Sequence, residues 1–329
     1  MPTISILSPC FNEEENVEAC HAKVKEIFEN ELPGYDRQHI FVDNASTDRT
    51  VEILKDIAAS DPAVGLVVNS RNFGLLPSTF NGLKYLNGDA ILVMLPVDLQ
   101  DPPELLPEFV RLWEQGYEVV AGARSEREEP FLLRTARKAF YRIVNGLSDF
   151  EIPPDVGEMQ LIDRKVLDAV LKHTDTQPYI RGIIASVGFK RVIVPYTWRA
   201  RERGVSKFNL ARMTDQALNA IFAFTRAPMR FCTLVGLGIS LLSIFASILS
   251  VILYFFAPDV APRGTTTIIV ALFFLSGVNL LFIGMLGEYV TAIQMQVRGA
   301  PLVIERETIN VPEAAQDDPQ VDKHKVVPS

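Results

Sequence analysis

Cysteine is scarce in this chain. The 329 residues include three, Cys10, Cys20 and Cys232, and their spacing matches neither a zinc motif nor a redox pair. A disulfide framework is thereby excluded, and a reducing compartment fits. Positive charge is also in deficit. Lys and Arg number 32 against 40 Asp and Glu, for a net charge of −8, which argues against nucleic acid as a partner. No internal repeat is present, so a repeat array is excluded. The most consequential absence is local: Phe231 to Ala257 and Thr265 to Gly287 contain no charged residue at all.

Each of those runs is long enough to cross a hydrocarbon core of ~30 Å as a helix. The first lies far from the N-terminus, so neither is a signal peptide. Two buried core helices are the alternative, but uncharged runs of this length are rare in soluble cores. Pro258 to Gly264 joins the runs and carries Asp259 and Arg263. The pair therefore reads as a hairpin with both flanks on one side. Arg226 and Arg230 precede it, and Arg298 and Arg306 follow it. The positive-inside rule puts both flanks in the cytoplasm. A transporter is the least supported function, because two spans without intramembrane charge offer no polar pathway.

The first 125 residues or so alternate strand and helix patterns. Strands are expected over Ile4–Ser8, His39–Val42, Val64–Val68, Ala90–Leu95 and Val119–Ala121. Helices are expected over Asn12–Asn30, with Asn12 as N-cap, over Thr47–Ala59, capped by Ser46 or Thr47, and over Pro77–Leu86. This alternation predicts a mostly parallel sheet. Ligands of such sheets sit outside the carboxyl ends of the strands. Asp43, Asn72 and Asp98 all follow strand ends, so one crevice can collect them.

Asp98 and Gln100 stand two residues apart just past the fourth strand. Hard oxygen donors of this kind suit Mg²⁺ or Mn²⁺ on a diphosphate. The competing reading is a loop or helix cap, and Asp101-Pro102-Pro103-Glu104 is a good helix start with Asp101 as N-cap. Phe131–Ser148 reads either as a basic amphipathic helix at a membrane surface or as a helix packed on the domain with solvated arginines. Arg199, Arg201, Arg203 and Lys207 form a basic run with a flexible turn at Gly204. Attraction to anionic lipid and forked recognition of phosphate both fit that run. Beyond Val311 the composition is that of a disordered tail.

Pro9-Cys10-Phe11-Asn12-Glu13-Glu14 follows the first strand, Asp43-Asn44-Ala45-Ser46-Thr47-Asp48 the second, and Asn72-Phe73-Gly74 the third. Together with Asp98-Leu99-Gln100-Asp101-Pro102-Pro103, they resemble the family 2 inverting glycosyltransferases of the GT-A fold. More narrowly, the chain is similar to the polyprenyl-phosphate glycosyltransferases, the group of dolichyl-phosphate mannose synthase and the bactoprenol glucosyltransferases. The resemblance continues through Asp155-Val156-Gly157-Glu158-Met159-Gln160-Leu161-Ile162-Asp163-Arg164, through Arg201-Glu202-Arg203-Gly204-Val205-Ser206-Lys207-Phe208, and through Gly287-Glu288-Tyr289.

This resemblance implies an α/β, Rossmann-like GT-A domain over residues 1–206 in the cytoplasm. Interfacial amphipathic helices over 207–229, a transmembrane hairpin over 230–290 and a cytoplasmic tail over 291–329 complete the chain. The implied activity moves one sugar from a nucleotide sugar, expected to be UDP-linked, to polyprenyl (undecaprenyl) phosphate at the cytoplasmic membrane face. Cell-envelope glycan or lipid modification is the implied purpose. Nucleotide-sugar binding is implied for Pro9, Phe11, Asn12, Glu13, Asp43, Asn72, Asp98 and Gln100. Asp98 and Gln100 are the implied ligands of Mg²⁺ or Mn²⁺. Asp155, Asp98, Arg201, Arg203 and Lys207 are the implied catalytic set. The partners are the nucleotide sugar, polyprenyl phosphate and the bilayer, with a homo-oligomer left open.

The chain departs from the family at four places. Pro96 stands where Asp is usual, Asn44-Ala45 replaces Asp-Gly, Leu75-Leu76-Pro77 replaces a Lys-Glu-Ala type segment, and Met159-Gln160 stands where Phe-Arg is common. Two other readings stay open: a weakly active or non-catalytic membrane partner, for which Pro96 is the best support, and a synthase of longer polysaccharide. Against the second, the chain has no Gln-x-x-Arg-Trp motif.

Overall fold

The computed structural model describes residues 1–126, 156–175, 178–197 and 265–312, together with 235–239, 241–242, 245 and 256. It divides into two compact units. One comprises Met1–Ala136, Ile152–Lys207 and Pro301–Ser329, and the other Arg137–Glu151 and Phe208–Ala300.

The first unit is built on one eight-stranded sheet. In chain order the strands are β1 (Thr3–Cys10), β2 (Asp36–Asp43), β3 (Val64–Asn69), β4 (Ala90–Leu92), β5 (Val119–Glu126), β6 (Val156–Asp163), β7 (Arg191–Thr197) and β8 (Glu305–Ile309). Their spatial order is β7-β5-β6-β4-β1-β2-β3-β8. Six strands run one way, while β6 and β8 run against them. Ile4 to Cys10 and all of β3 are buried, as expected of strands covered on both faces.

The helices are α1 (Val17–Asn30), α2 (Thr50–Ser60), α3 (Leu75–Leu83), α4 (Leu106–Glu114), α5 (Arg164–Val170) and α6 (Ile180–Ser186). Most bury apolar residues on one face, whereas α3 buries Ser78, Thr79 and Gly82 beside Leu83. In α1 the buried residues are Val17, Cys20, Val24, Ile27 and Phe28, the spacing of one helical face. A Cβ at Gly82 would stand 2.6 Å from Val42 Cγ2 and 2.9 Å from Leu7 Cδ1, so glycine lets α3 lie close against β1 and β2.

Several element ends differ from expectation, and most of the differences have a side chain behind them. Asn12 does not cap a helix. It lies at φ +54°, and its Oδ1 accepts from the Thr47 amide at 2.8 Å, so α1 starts only at Val17. Ser46 and Thr47 are likewise occupied elsewhere, and α2 begins at Thr50, whose amide donates to Asp48 Oδ1 at 3.0 Å. Asp101 caps nothing, because it is 1% exposed and claimed by Arg124. The fourth strand ends at Leu92, short of the expected Leu95, although main-chain bonds continue beyond it: Val93 N donates to Gln160 O at 2.9 Å and Leu95 N to Leu7 O at 2.8 Å. The sheet is mixed at both flanks because β6 and β8 join it antiparallel. The second of these strands comes from the segment read as a tail.

In the second unit, α7 (Thr265–Arg298) has 34 residues and is about 51 Å long at 1.5 Å per residue. Its portion Phe274–Arg298, of mean hydropathy 1.4, is the one helix among the described residues long and apolar enough to cross a membrane. Residues 235–239, within the expected first span, are also helical. Most of that span, the segment Phe131–Ser148, the interfacial stretch 207–229 and the tail beyond 312 lie outside the described residues.

Candidate active site

The strand order around β1 sets the site. β2 and β3 lie to one side of β1 and β4 to the other, so the order in which strands are added reverses between the parallel strands β1 and β4, where open α/β sheets bind ligands. At the carboxyl ends of these parallel strands stand Pro9–Glu13, Asp43–Asp48, Asn69–Gly74 and Pro96–Asp101.

The first two loops are stitched together. Asn12 N donates to Ser46 Oγ at 2.8 Å, and Glu13 N to Thr50 Oγ1 at 2.9 Å. Asp43 is fully buried. Its Oδ1 accepts from Ser46 N at 2.9 Å and its Oδ2 from Ser46 Oγ. Burial pushes its carboxyl above the usual range, and the two Ser46 bonds work against that rise. Ala45, beside it, lies at φ +62°, a left-handed conformation unfavourable for any residue with a Cβ.

An asparagine network ties the second loop to the third. Asn44 Nδ2 donates to Asn72 Oδ1 at 3.0 Å, while Asn44 Oδ1 accepts from Phe73 N at 2.9 Å and Asn69 Nδ2 at 3.2 Å. Asn72 Oδ1 also accepts from Gly74 N at 2.9 Å. Position 44 must therefore donate and accept at once, which an amide does and a carboxylate does not. Arg71 lies over the Phe73 ring at 3.9 Å.

In the fourth loop, Asp98 Oδ1 accepts from Gln100 N at 3.3 Å across Leu99. Leu99 is held at φ +54° and packs on the main core. Asp98 and Gln100 are both half-buried. Behind them sits a buried ionic cluster. Arg124 Nη2 reaches both Asp101 oxygens at 3.0 Å and its Nε reaches Oδ1 at 3.2 Å. Tyr196 OH donates to the same Oδ1. Burial disfavours the Arg124 charge, but Asp101 outweighs it and holds the guanidinium more basic than usual. Arg181 Nε lies 3.4 Å from Glu158 Oε1. Burial still raises the Glu158 carboxyl, against the pull of Arg181 and Arg124. Gln160 is buried and donates to Gly157 O at 3.1 Å.

The structure thus brings Pro9, Phe11, Asn12, Glu13, Asp43, Asn72, Asp98 and Gln100 to one end of the sheet. Asp155, Arg201, Arg203 and Lys207 lie outside the described residues; β6 begins at Val156 and β7 ends at Thr197. Sequence reasoning missed the linking roles of Asn44, Asn69, Arg124 and Tyr196. Apart from Ser78, nine positions from Asn69, their partners lie 23 to 95 positions away, and nothing local announces them. Cys10 and Cys20 are buried free thiols. Burial pushes Cys20 up to about 12, so it is an inert core residue.

Among the described residues no group of three or more His, Cys, Asp and Glu is placed to hold a metal. The donor set of Asp98 and Gln100 nevertheless fits a cation shared with a diphosphate, since Mg²⁺ is commonly held by one or two protein oxygens plus substrate phosphates.

An α/β sheet with its loops gathered at a switch point is an architecture that binds ligands at those loops. The family description "Glycosyl transferase family 2" matches residues 5–171. The chain is 33% identical to the glycosyltransferase YkcC of Bacillus subtilis (strain 168) over 308 residues, covering 93% of this chain and 94% of that one. It is 34% identical over 304 residues to the SfII prophage-derived bactoprenol glucosyl transferase of Shigella flexneri, covering 92% and 96%. The solved structure of glucosyl-3-phosphoglycerate synthase from Mycobacterium tuberculosis, in complex with Mn²⁺, uridine-diphosphate and phosphoglyceric acid, is 19% identical with a TM-score of 0.47, covering 68% of this chain and 78% of that one. The chain belongs to glycosyltransferase family 2, and it is a glycosyltransferase.

Proposed function

We propose that the protein transfers one sugar, with inversion, from a UDP-linked donor to polyprenyl phosphate at the cytoplasmic membrane face. The observation that carries this reading is the Asp98–Gln100 turn at the switch point, beside three loops that can embrace a nucleotide. The long apolar helix α7 and the bactoprenol glucosyl transferases among the relatives support a lipid acceptor.

In this reading Asp98 and Gln100 face the donor diphosphate. A divalent cation bound there would neutralise charge on the leaving group. The nucleoside end lies against Pro9–Glu13, Asp43 and Asn72. A lipid phosphate oxygen attacks the anomeric carbon from the face opposite the nucleotide, and the bond from that carbon to the diphosphate breaks. A phosphate monoester is already ionised, with a second pKa of ~6, so Asp155 positions the acceptor and need not take a proton. Arg201, Arg203 and Lys207 offset repulsion between the two anions.

The test uses purified full-length protein with undecaprenyl phosphate and a panel of radiolabelled nucleotide sugars. We expect label in the lipid fraction with a UDP-sugar, lost in EDTA and lowered by orders of magnitude in Asp98→Asn. Full activity of Asp98→Asn in EDTA would refute the roles given to Asp98 and the cation. Absence of lipid label with every donor would refute the acceptor.

A further inference from the structure

We propose that Glu305, in the strand that follows the long apolar helix, is a positioning residue for the nucleotide-sugar pocket. It acts by locking α3 to β3 and so fixing the loop Ser70–Gly74 between them. The inference rests on the functional reading above, which places Asn72 against the nucleotide.

Asn44 holds the loop from within, through Asn72 and Phe73, and Glu305 reaches the two elements that flank it. Its backbone stands opposite Asn69, the last residue of β3, at a shift in the β3–β8 ladder. One position earlier, Ile304 O accepts from Ser70 N at 2.8 Å. The Glu305 side chain turns onto α3 and the turn after it. Asn81 Nδ2 donates to Oε1 at 2.6 Å, Lys84 Nζ lies 2.8 Å from Oε1, and Tyr85 OH donates to Oε2. The carboxylate side chain is only 20% exposed. Burial raises its affinity for a proton, but Lys84, Tyr85 and Asn81 together overcome that and keep it ionised below the ordinary range. From the sheet side, Asn69 Nδ2 donates to Ser78 Oγ of α3 at 2.8 Å. Strand end and helix are thus bolted at two points, and only Ser70–Gly74 bridges them.

A second acid on the strand gives an internal control. Glu307 takes Lys55 Nζ on α2 at 2.6 and 2.8 Å. It fastens the same strand to a different helix, one that does not carry the loop. Loss of either acid weakens β8, but only loss of Glu305 removes one of the two bolts on α3.

The experiment compares full-length wild type, Glu305→Ala, Glu305→Gln and Glu307→Ala, below their unfolding temperatures. Donor KM, kcat and backbone-amide exchange of residues 70–74 are measured. Glu305→Ala should raise donor KM about tenfold with kcat within about twofold, and should speed exchange in the loop. Glu305→Gln, which keeps an acceptor but not the charge, should fall between. Glu307→Ala should keep the wild-type donor KM. An unchanged donor KM in Glu305→Ala, or an equal rise in Glu307→Ala, would overturn the proposal. Should wild type itself turn over no nucleotide sugar, the functional reading fails. The exchange measurement then still decides the lock, and unaltered protection of 70–74 in Glu305→Ala would overturn it.

Discussion

Replacing Asp101 with Asn tests the cluster behind the Asp98–Gln100 turn. Asp101 is 1% exposed and Arg124 23%. The substitution removes the carboxylate hydrogen-bonded to Arg124, although Glu158 still attracts the guanidinium, and puts an amide N–H₂ where a carboxylate oxygen met Nη2. Breaking a buried pair by removing one partner costs about 3–5 kcal/mol. Arg124 keeps some contact with water, so the lower figure applies, about 3 kcal/mol. For a domain of this size that lowers the unfolding midpoint by about 6–12 °C. Thermal unfolding of the purified protein by circular dichroism reads it directly. A double-mutant cycle with Arg124→Met isolates the pair, and a coupling of about 2 kcal/mol or more is expected. Tyr196→Phe should cost less, about 1 kcal/mol, since it removes one hydroxyl donor and leaves the ion pair intact. A coupling indistinguishable from zero would mean that the Asp101–Arg124 pair does not stabilise the fold behind the Asp98–Gln100 turn.

Ala45→Gly should stabilise the protein by about 0.5 kcal/mol, because relief of left-handed strain, about 1–2 kcal/mol, exceeds the entropy glycine adds to the unfolded chain; a lowered midpoint in chemical denaturation would contradict the strained geometry. Asn44→Asp, which restores the residue common in the family, should here destabilise by about 1–3 kcal/mol, because its carboxylate meets Asn72 Oδ1 without a proton to give; calorimetry should show weaker UDP binding, and unchanged stability and affinity would dissolve the network argument. His39 supplies a pH prediction. Burial, and then the neighbouring Arg37 charge, hold its ring neutral, well below the usual imidazole range, and its Nδ1 is buried without a partner. The unfolded chain therefore binds a proton near pH 6.5 that the folded chain refuses. Stability is complete above that pH and falls by up to about 1.4 kcal/mol per unit below it. His39→Gln should flatten that slope between pH 6.5 and 5, and an unaltered slope would assign the acid loss elsewhere.

What the sequence made legible was whatever repeats locally. Alternating apolar strands and amphipathic helices announced the parallel core, and Asp43, Asn72 and Asp98 were found by their places after strand ends. What escaped was decided at long range. Asp101-Pro102-Pro103-Glu104 has every local mark of a helix start, yet Arg124 and Tyr196, 23 and 95 positions on, claim the carboxylate. Asn12 reads as a cap until Thr47, 35 positions on, takes its oxygen. The strand Glu305–Ile309 carries two glutamates and an arginine in five residues. Its place in the sheet comes from main-chain pairing and from lysines on α2 and just past the end of α3, neither of which leaves an apolar pattern.

That last strand also sets a schedule for synthesis. Asn81 and Glu305 are 224 positions apart. At about 5–20 residues per second, the ribosome needs about 10–45 s to travel between them. Throughout that interval β3 has no partner on its outer side, and an open edge is a template for pairing with another chain. The residues that close it emerge only after the whole of α7 has been made. The sheet is therefore finished by residues that follow the apolar helix in sequence, and a nascent chain that stalls before Glu305 carries an unsealed flank and an α3 without its Glu305 partner.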